Sequence, residues 1–130
     1  MLKLRKMFDD KLPTVQMLGR FQPWHAGHMA LFKRALAKTG QVCIMVRDVG
    51  GVDDKNPFVF TDVRDRIISE LGKQGHMHGA EYVIQLVPNI VNITYGRDVG
   101  YVIEQEILDE EIQAISATDI REQMRKDGLL

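Results

Sequence analysis

Thr14-Val-Gln-Met-Leu18 runs into Gly19-Arg-Phe-Gln-Pro-Trp-His-Ala-Gly-His28, which is followed by Met29-Ala-Leu-Phe-Lys-Arg-Ala-Leu36. The first stretch alternates as a strand does, and Gly19 permits close backbone approach. After the turn, His28, Leu31, Phe32, Ala35 and Leu36 fall at i, i+3, i+4, i+7 and i+8, which is one face of an α-helix. The middle stretch is therefore a strand-to-helix turn that carries His25 and His28. Backbone N–H groups at a helix start lack partners and the helix dipole is positive there, so such a turn suits an anion. His28 falls on the covered side of the helix at its first turn, and His25 in the turn itself. Two imidazoles there point to a phosphate. The competing reading is a helix-end histidine beside a surface-loop histidine.

Outward from this stretch the chain alternates between the two periodicities. Strands are expected over Thr14–Leu18, Gln41–Arg47, Tyr82–Val87 and Tyr101–Ile107, and helices over Gly27–Lys38, Thr61–Leu71 and Ala117–Lys126. That order predicts a parallel α/β sheet with right-handed crossovers. In such sheets ligands bind beyond the carboxyl ends of the strands, and the histidine turn lies at the end of the first. Arg-Asp-Val-Gly occurs at both Arg47–Gly50 and Arg97–Gly100, which is too little to establish a repeat.

Composition narrows the class. A chain of 130 residues is the size of one domain with a real core. With 17 Lys and Arg against 18 Asp and Glu, the net charge of −1 gives no broad attraction to nucleic acid, so any positive field must be local. The lone Cys43 lies in the apolar run Val42-Cys-Ile-Met-Val46, reads as a buried structural thiol, and fits a reducing compartment. Met1-Leu-Lys-Leu-Arg-Lys-Met-Phe8 is basic and partly apolar, without the long apolar stretch of a signal peptide or membrane span; a cytoplasmic protein with no membrane association is expected. His76-Met-His78 in a Gly-flanked turn reads as surface loop rather than a metal pair. The acidic Gly51-Val-Asp-Asp54 reads as solvated loop charge, and no protein-held metal site is expected.

His25-Ala-Gly-His28 matches the His-x-Gly-His signature of the nucleotidylyltransferase superfamily. Gly19-Arg-Phe-Gln-Pro23 is similar to the form found in archaeal-type nicotinamide mononucleotide adenylyltransferases. A second superfamily signature, Ile-Ser-x-Thr followed by Arg, is present as Ile115-Ser-Ala-Thr118 with Arg121. Two motifs in the right order, about ninety residues apart, are far more specific than either alone. The resemblance spans Val15 to Met124 and implies a Rossmann-like α/β fold, a parallel sheet with helices on both faces. Residues 1–12 are then an N-terminal arm and 13–130 the nucleotidylyltransferase domain.

The resemblance also implies roles. His28 contacts the α-phosphate and stabilises the transition state, while His25 holds the phosphate chain. Gly19, Arg20, Phe21 and Gln22 belong to the nucleotide site, and Gly27 keeps the turn open where phosphates approach. Ile115, Ser116, Thr118 and Arg121 grip the β- and γ-phosphates from a second helix start. Ser116-Ala-Thr-Asp119 also reads as a helix cap, and both roles are compatible. Lys55-Asn-Pro-Phe58 resembles the Asn-Pro-Phe segment before an Arg-bearing helix, but one inserted residue leaves Arg64 and Arg66 as rivals for that arginine.

For the acceptor, Trp24 is either a pocket wall or a core anchor. Arg47 lies near the expected ligand edge. Pro88-Asn-Ile-Val-Asn-Ile-Thr-Tyr-Gly-Arg97 offers Asn89, Asn92, Tyr95 and Arg97, which can hydrogen-bond and stack on a planar ring; a structural loop is the alternative. The expected reaction moves AMP, or CMP, from a nucleoside triphosphate with Mg²⁺ to a small phosphorylated acceptor, with nicotinamide mononucleotide the first guess. A cytidylyltransferase acting on a phosphorylated alcohol and a non-catalytic nucleotide-binding regulator are the alternatives. So small a subunit is expected to form a homo-oligomer.

Overall fold

A computed structural model describes residues 5–98 and 100–130; the first four residues of the expected arm, and Val99, lie outside the described residues. Three strands, β1 (Val15–Gly19), β2 (Val42–Arg47) and β3 (Tyr82–Val87), form one parallel sheet in the order β1-β2-β3. Parallel neighbours need crossovers, and these are α1 (Ala26–Thr39) and α2 (Phe60–Lys73). A short α3 (Glu110–Gln113) and α4 (Ala117–Lys126) follow. The three principal strands and three principal helices lie where the sequence periodicity places them, within one or two residues at each end.

The core explains why both long helices lie on one side. Two right-handed crossovers that advance in the same direction across a sheet leave their helices on the same face. Accordingly Met17, Val42, Ile44, Val46 and Tyr82, all of one strand phase, share a single buried cluster with Phe32 and Ala35 of α1 and Val63, Ile67 and Leu71 of α2. On the opposite phase Gln16, Leu18, Cys43, Met45, Val83 and Gln85 are half-buried or exposed. The expectation of helices covering both faces is corrected on this point, and Cys43 is half-buried rather than buried.

Tyr101–Ile107 is not a strand. Glu104 and Glu106 pair with Lys38, Glu106 also pairs with Arg34 at 3.3 Å, and Arg34 donates to the Ile107 carbonyl at 3.0 Å. These contacts lay the segment along the outer side of α1, away from either edge of the sheet. At the other end of the molecule, the arm crosses the sheet's amino end through Phe8 N–H to the Gly79 carbonyl, at 2.9 Å, and Gln41 Nε2 to the Asp9 carbonyl, at 2.8 Å.

Candidate active site

The histidine turn caps α1. His25 is the N-cap residue, and its Nδ1 accepts from the Gly27 N–H at 3.0 Å. His28 reaches back, so that its Nδ1 accepts from the His25 N–H at 3.1 Å, and the two rings stack with centroids 3.8 Å apart. This reciprocal cap satisfies two donors of the first turn. It also settles the tautomers: with Nδ1 accepting in both rings, each neutral imidazole carries its proton on Nε2. Two Nε2–H donors are therefore presented together at the positive end of a helix.

His28 packs between the Phe21 and Trp24 rings, with centroids 4.9 and 5.4 Å away. Burial, and then the neighbouring His25, lowers its pKa to about 3. His25 is lowered as well, first by burial and then by the positive charge of Arg66. At neutral pH the pair donates hydrogen bonds without carrying charge. Stability follows from the same shift. The folded ring binds a proton less readily than the unfolded one, so His28 contributes fully above about pH 6.5 and that contribution is lost as pH falls toward about 3. Within this window the slope approaches about 1.4 kcal/mol per pH unit. Urea midpoints measured from pH 7 to 4 should fall more steeply in the wild type than in His28→Asn; equal slopes would remove His28 as the titrating group.

Close packing holds the turn. Trp24 is 1 % exposed, a core anchor that also lines the cleft between α1 and α2. Phe21 has a left-handed backbone, φ 52°, which is unusual for a non-glycine residue. Its ring lies so close over Gly19 that a Cβ there would stand 2.9 Å from Phe21 Cζ. Gly27 is similarly explained by its own turn: a Cβ would meet His25 Cε1 at 2.8 Å. Both glycines make room for side chains of the motif. Gly27→Ala favours the helix by up to about 1 kcal/mol yet displaces His25. Retained or raised thermal stability with reduced turnover is the expected result, measured on one preparation.

Gln22 ties this turn to the loop before α2. Its Nε2 donates to the Phe58 carbonyl and its Oε1 accepts from the Phe58 N–H, both at 2.9 Å. The Gln22 carbonyl in turn accepts from Arg121 Nη1 at 2.7 Å, while Arg121 Nη2 donates to Thr118 Oγ1 at 3.3 Å. Arg121 is 6 % exposed. The two sequence motifs are thereby brought together. Ser116 caps α4, its Oγ accepting from the Asp119 N–H at 3.3 Å, as the capping alternative reads; Ile115 is half-buried and Thr118 exposed.

Around this junction positive charge accumulates. Burial first, then the like charges of Arg20 and Arg125, hold the Arg121 guanidinium below its ordinary value, with Asp53 acting the other way. Arg20 contacts Asn56 Oδ1 at 3.4 Å, and Arg125 donates to the Asp54 carbonyl. Among the described residues, none of these three arginines forms an ion pair with a carboxylate. Asp53 is occupied by the N–H groups of Lys55 and Asn56. Sequence reasoning missed Arg125; its place one helical turn after Arg121 was the available signal.

The rival arginines separate. Arg64 pairs with the adjacent Asp65 on the surface, whereas Arg66 Nε donates to the Trp24 carbonyl at 3.1 Å. Arg66, His25 and Lys33 line a cleft of about 490 Å³ between α1 and α2. A second cleft, of about 190 Å³, opens at the carboxyl ends of β2 and β3, lined by Gln22, Val46, Arg47, Phe58 and Leu86. Arg47 Nε is buried without a partner. Asn89, Asn92, Tyr95 and Arg97 are exposed on a coil after β3 and are not brought against the histidines. Among the described residues no group of three or more His, Cys, Asp or Glu side chains is placed to hold a metal ion, and no helix is long and apolar enough to cross a membrane.

Residues 17–67 match the family described as cytidylyltransferase-like, a stretch from β1 to the middle of α2 that includes the whole histidine turn. No curated protein matches the chain. Parallel sheet, capped histidine pair and family match together support the nucleotidylyltransferase superfamily and a nucleotidyltransferase-type function.

Proposed function

We propose that the protein transfers AMP from the magnesium salt of ATP to a small phosphorylated acceptor and releases pyrophosphate. The observation that carries this reading is the joining of the two motifs: buried Arg121, flanked by Arg20 and Arg125, donates to the Gln22 carbonyl of the turn whose two histidines keep Nε2–H as donors. Three arginines gathered at one junction attract an anion, and a triphosphate is one. In the reaction an acceptor phosphate oxygen forms a bond to the α-phosphorus while the bond from that phosphorus to the bridging oxygen breaks, and pyrophosphate departs with the electron pair. The attacking oxygen is already anionic, so no general base is required. Alignment of the reactants and stabilisation of developing charge are what remains for the protein.

His28 donates its Nε2–H to the α-phosphate in this scheme, and His25 and the arginines hold the leaving pyrophosphate. Mg²⁺ arrives on the triphosphate oxygens as part of the substrate. The cleft bearing Arg47 is the acceptor side. Its location at the strand ends, contiguous with the histidine turn through Gln22, supports that assignment.

CTP as donor is the second reading, favoured by the description of the matching family. The Gly19–Pro23 lead-in, which resembles adenylyltransferases, favours ATP. Pyrophosphate release, measured with each triphosphate against nicotinamide mononucleotide and a panel of phosphorylated alcohols, tests both. Release from ATP with one acceptor class is expected. Nucleotide binding without release for any acceptor would make the protein a nucleotide sensor instead.

A further inference from the structure

The proposed reaction leaves the cleft between α1 and α2 without a task. It shares no lining residue with the cleft at the strand ends, and at about 490 Å³ it has the size of a small-molecule site. Met29 and Ala30 supply apolar lining, while Lys33 of α1 and Arg66 of α2 supply positive charge, one from each helix. Neither cation is neutralised. Among the described residues neither forms an ion pair, and Glu70, the carboxylate on the cleft wall, pairs with Lys73 at 3.1 Å. Each cation is nevertheless held in place: Arg66 Nε donates to the Trp24 carbonyl at 3.1 Å and Lys33 Nζ to Gln74 Oε1 at 3.3 Å. Those bonds use one N–H of each group and leave the guanidinium edge and the rest of the ammonium as donors. Trp24, also on the wall, has its indole N–H buried without a partner, where such a donor is normally satisfied. Charge that is positioned by hydrogen bonds yet unpaired is preorganised for an anion.

We propose that this cleft is a second anion site, which takes the phosphate of a small phosphate monoester onto Lys33 and Arg66 and lays the ester's apolar body along Met29 and Ala30. Charge and donor count select a phosphate over a carboxylate. At neutral pH a phosphate monoester carries about −1.5 to −2 and offers three acceptor oxygens, which suits two cations; a carboxylate offers a single charge and two oxygens. Volume selects an ester over the free ion, because a bare phosphate leaves most of the cleft and its apolar lining unfilled.

Isothermal titration of the full chain with phenyl phosphate, inorganic phosphate and benzoate tests the assignment, with Lys33→Met and Arg121→Lys run beside the wild type. Trp24 is the single tryptophan of the chain, so its emission follows the same binding. Lys33 is exposed and methionine keeps its apolar stem, so that variant retains its fold, which far-UV circular dichroism verifies. Phenyl phosphate is expected to saturate the wild type with a Kd below about 1 mM and to change the Trp24 emission. Lys33→Met should weaken it at least about tenfold, the share of one charge-assisted hydrogen bond, and Arg121→Lys should leave it unchanged. Inorganic phosphate and benzoate should each bind at least about tenfold more weakly than the ester. Wild type that does not saturate, or that binds inorganic phosphate or benzoate as tightly, overturns the proposal. So does a Lys33→Met protein that binds as the wild type does, or an Arg121→Lys protein that does not, since the ligand would then sit at the nucleotide side. The titration reads no turnover, so its failure leaves the proposed reaction standing, and a protein that releases no pyrophosphate can still bind phenyl phosphate in this cleft.

Discussion

Replacing His28 with alanine is expected to lower kcat by about two to three orders of magnitude, the range seen when one preorganised donor to a transition-state oxyanion is lost, with KM changed far less. The expectation follows from the side chain's two separate tasks. Nδ1 closes the cap on the His25 N–H, which leaves Nε2–H as the ring's remaining donor. Alanine removes both, so a fall in activity alone could reflect a loosened helix start, which costs about 1 kcal/mol. Asparagine separates the tasks, because its amide oxygen can accept from the same N–H while nothing replaces Nε2–H. His28→Asn should therefore recover most of the thermal stability lost in His28→Ala and little of the turnover. If the asparagine variant turned over nearly as fast as the wild type, the Nε2–H would have no part in the chemistry. A proportional loss of kcat and nucleotide affinity would instead mark a group that binds ground state and transition state alike.

Arg121→Met is expected to do comparable damage by a different route. The guanidinium is buried and bridges Gln22 and Thr118, and through Gln22 it reaches Phe58 as well. Methionine keeps much of the volume and leaves the Gln22 carbonyl without its charged donor, at a cost of about 1.5–3 kcal/mol. It also removes one of the three arginines proposed to hold the pyrophosphate, so kcat/KM should fall by at least about a hundredfold on top of the loss in stability. Arg121→Lys restores the charge but not the two-pronged geometry and should rescue activity only in part. Thr118→Ala, at an exposed hydroxyl, should be mild in both respects. An Arg121→Met protein with full turnover would separate α4 from the reaction altogether.

Linear proximity decides how much of this was readable without coordinates. The capped histidine pair is a local structure: the spacing of His25, Gly27 and His28 fixes which N–H faces which ring, so sequence periodicity found the turn and the helix after it. The apolar run Val42–Val46 likewise announced β2. The Tyr101–Ile107 expectation failed for a physical reason. Its Glu104 and Glu106 fall on one side of an extended chain, as they would in a strand, but the cations they meet belong to α1, about seventy residues earlier in the chain, and those pairs hold the segment off the sheet.

Gly27 shows a subtler limit. That a glycine is needed there follows from the motif, but whether it makes room for a ligand or for the His25 ring depends on a rotamer. The choice between Arg64 and Arg66 was equally closed to sequence reading, because adjacent turns of one helix present both and only the Trp24 carbonyl selects between them.

Elements, their order, the parallel sheet and the histidine-capped turn were written in short-range spacing, because helix caps and strand alternation are made by residues within a few positions of each other. That both crossover helices share one face, that Arg125 joins Arg20 and Arg121, and that α4 docks on the histidine turn through the Gln22 carbonyl were decided only by folding. Those contacts join residues up to 99 positions apart, and a pairing at that range depends on packing geometry that no local pattern encodes.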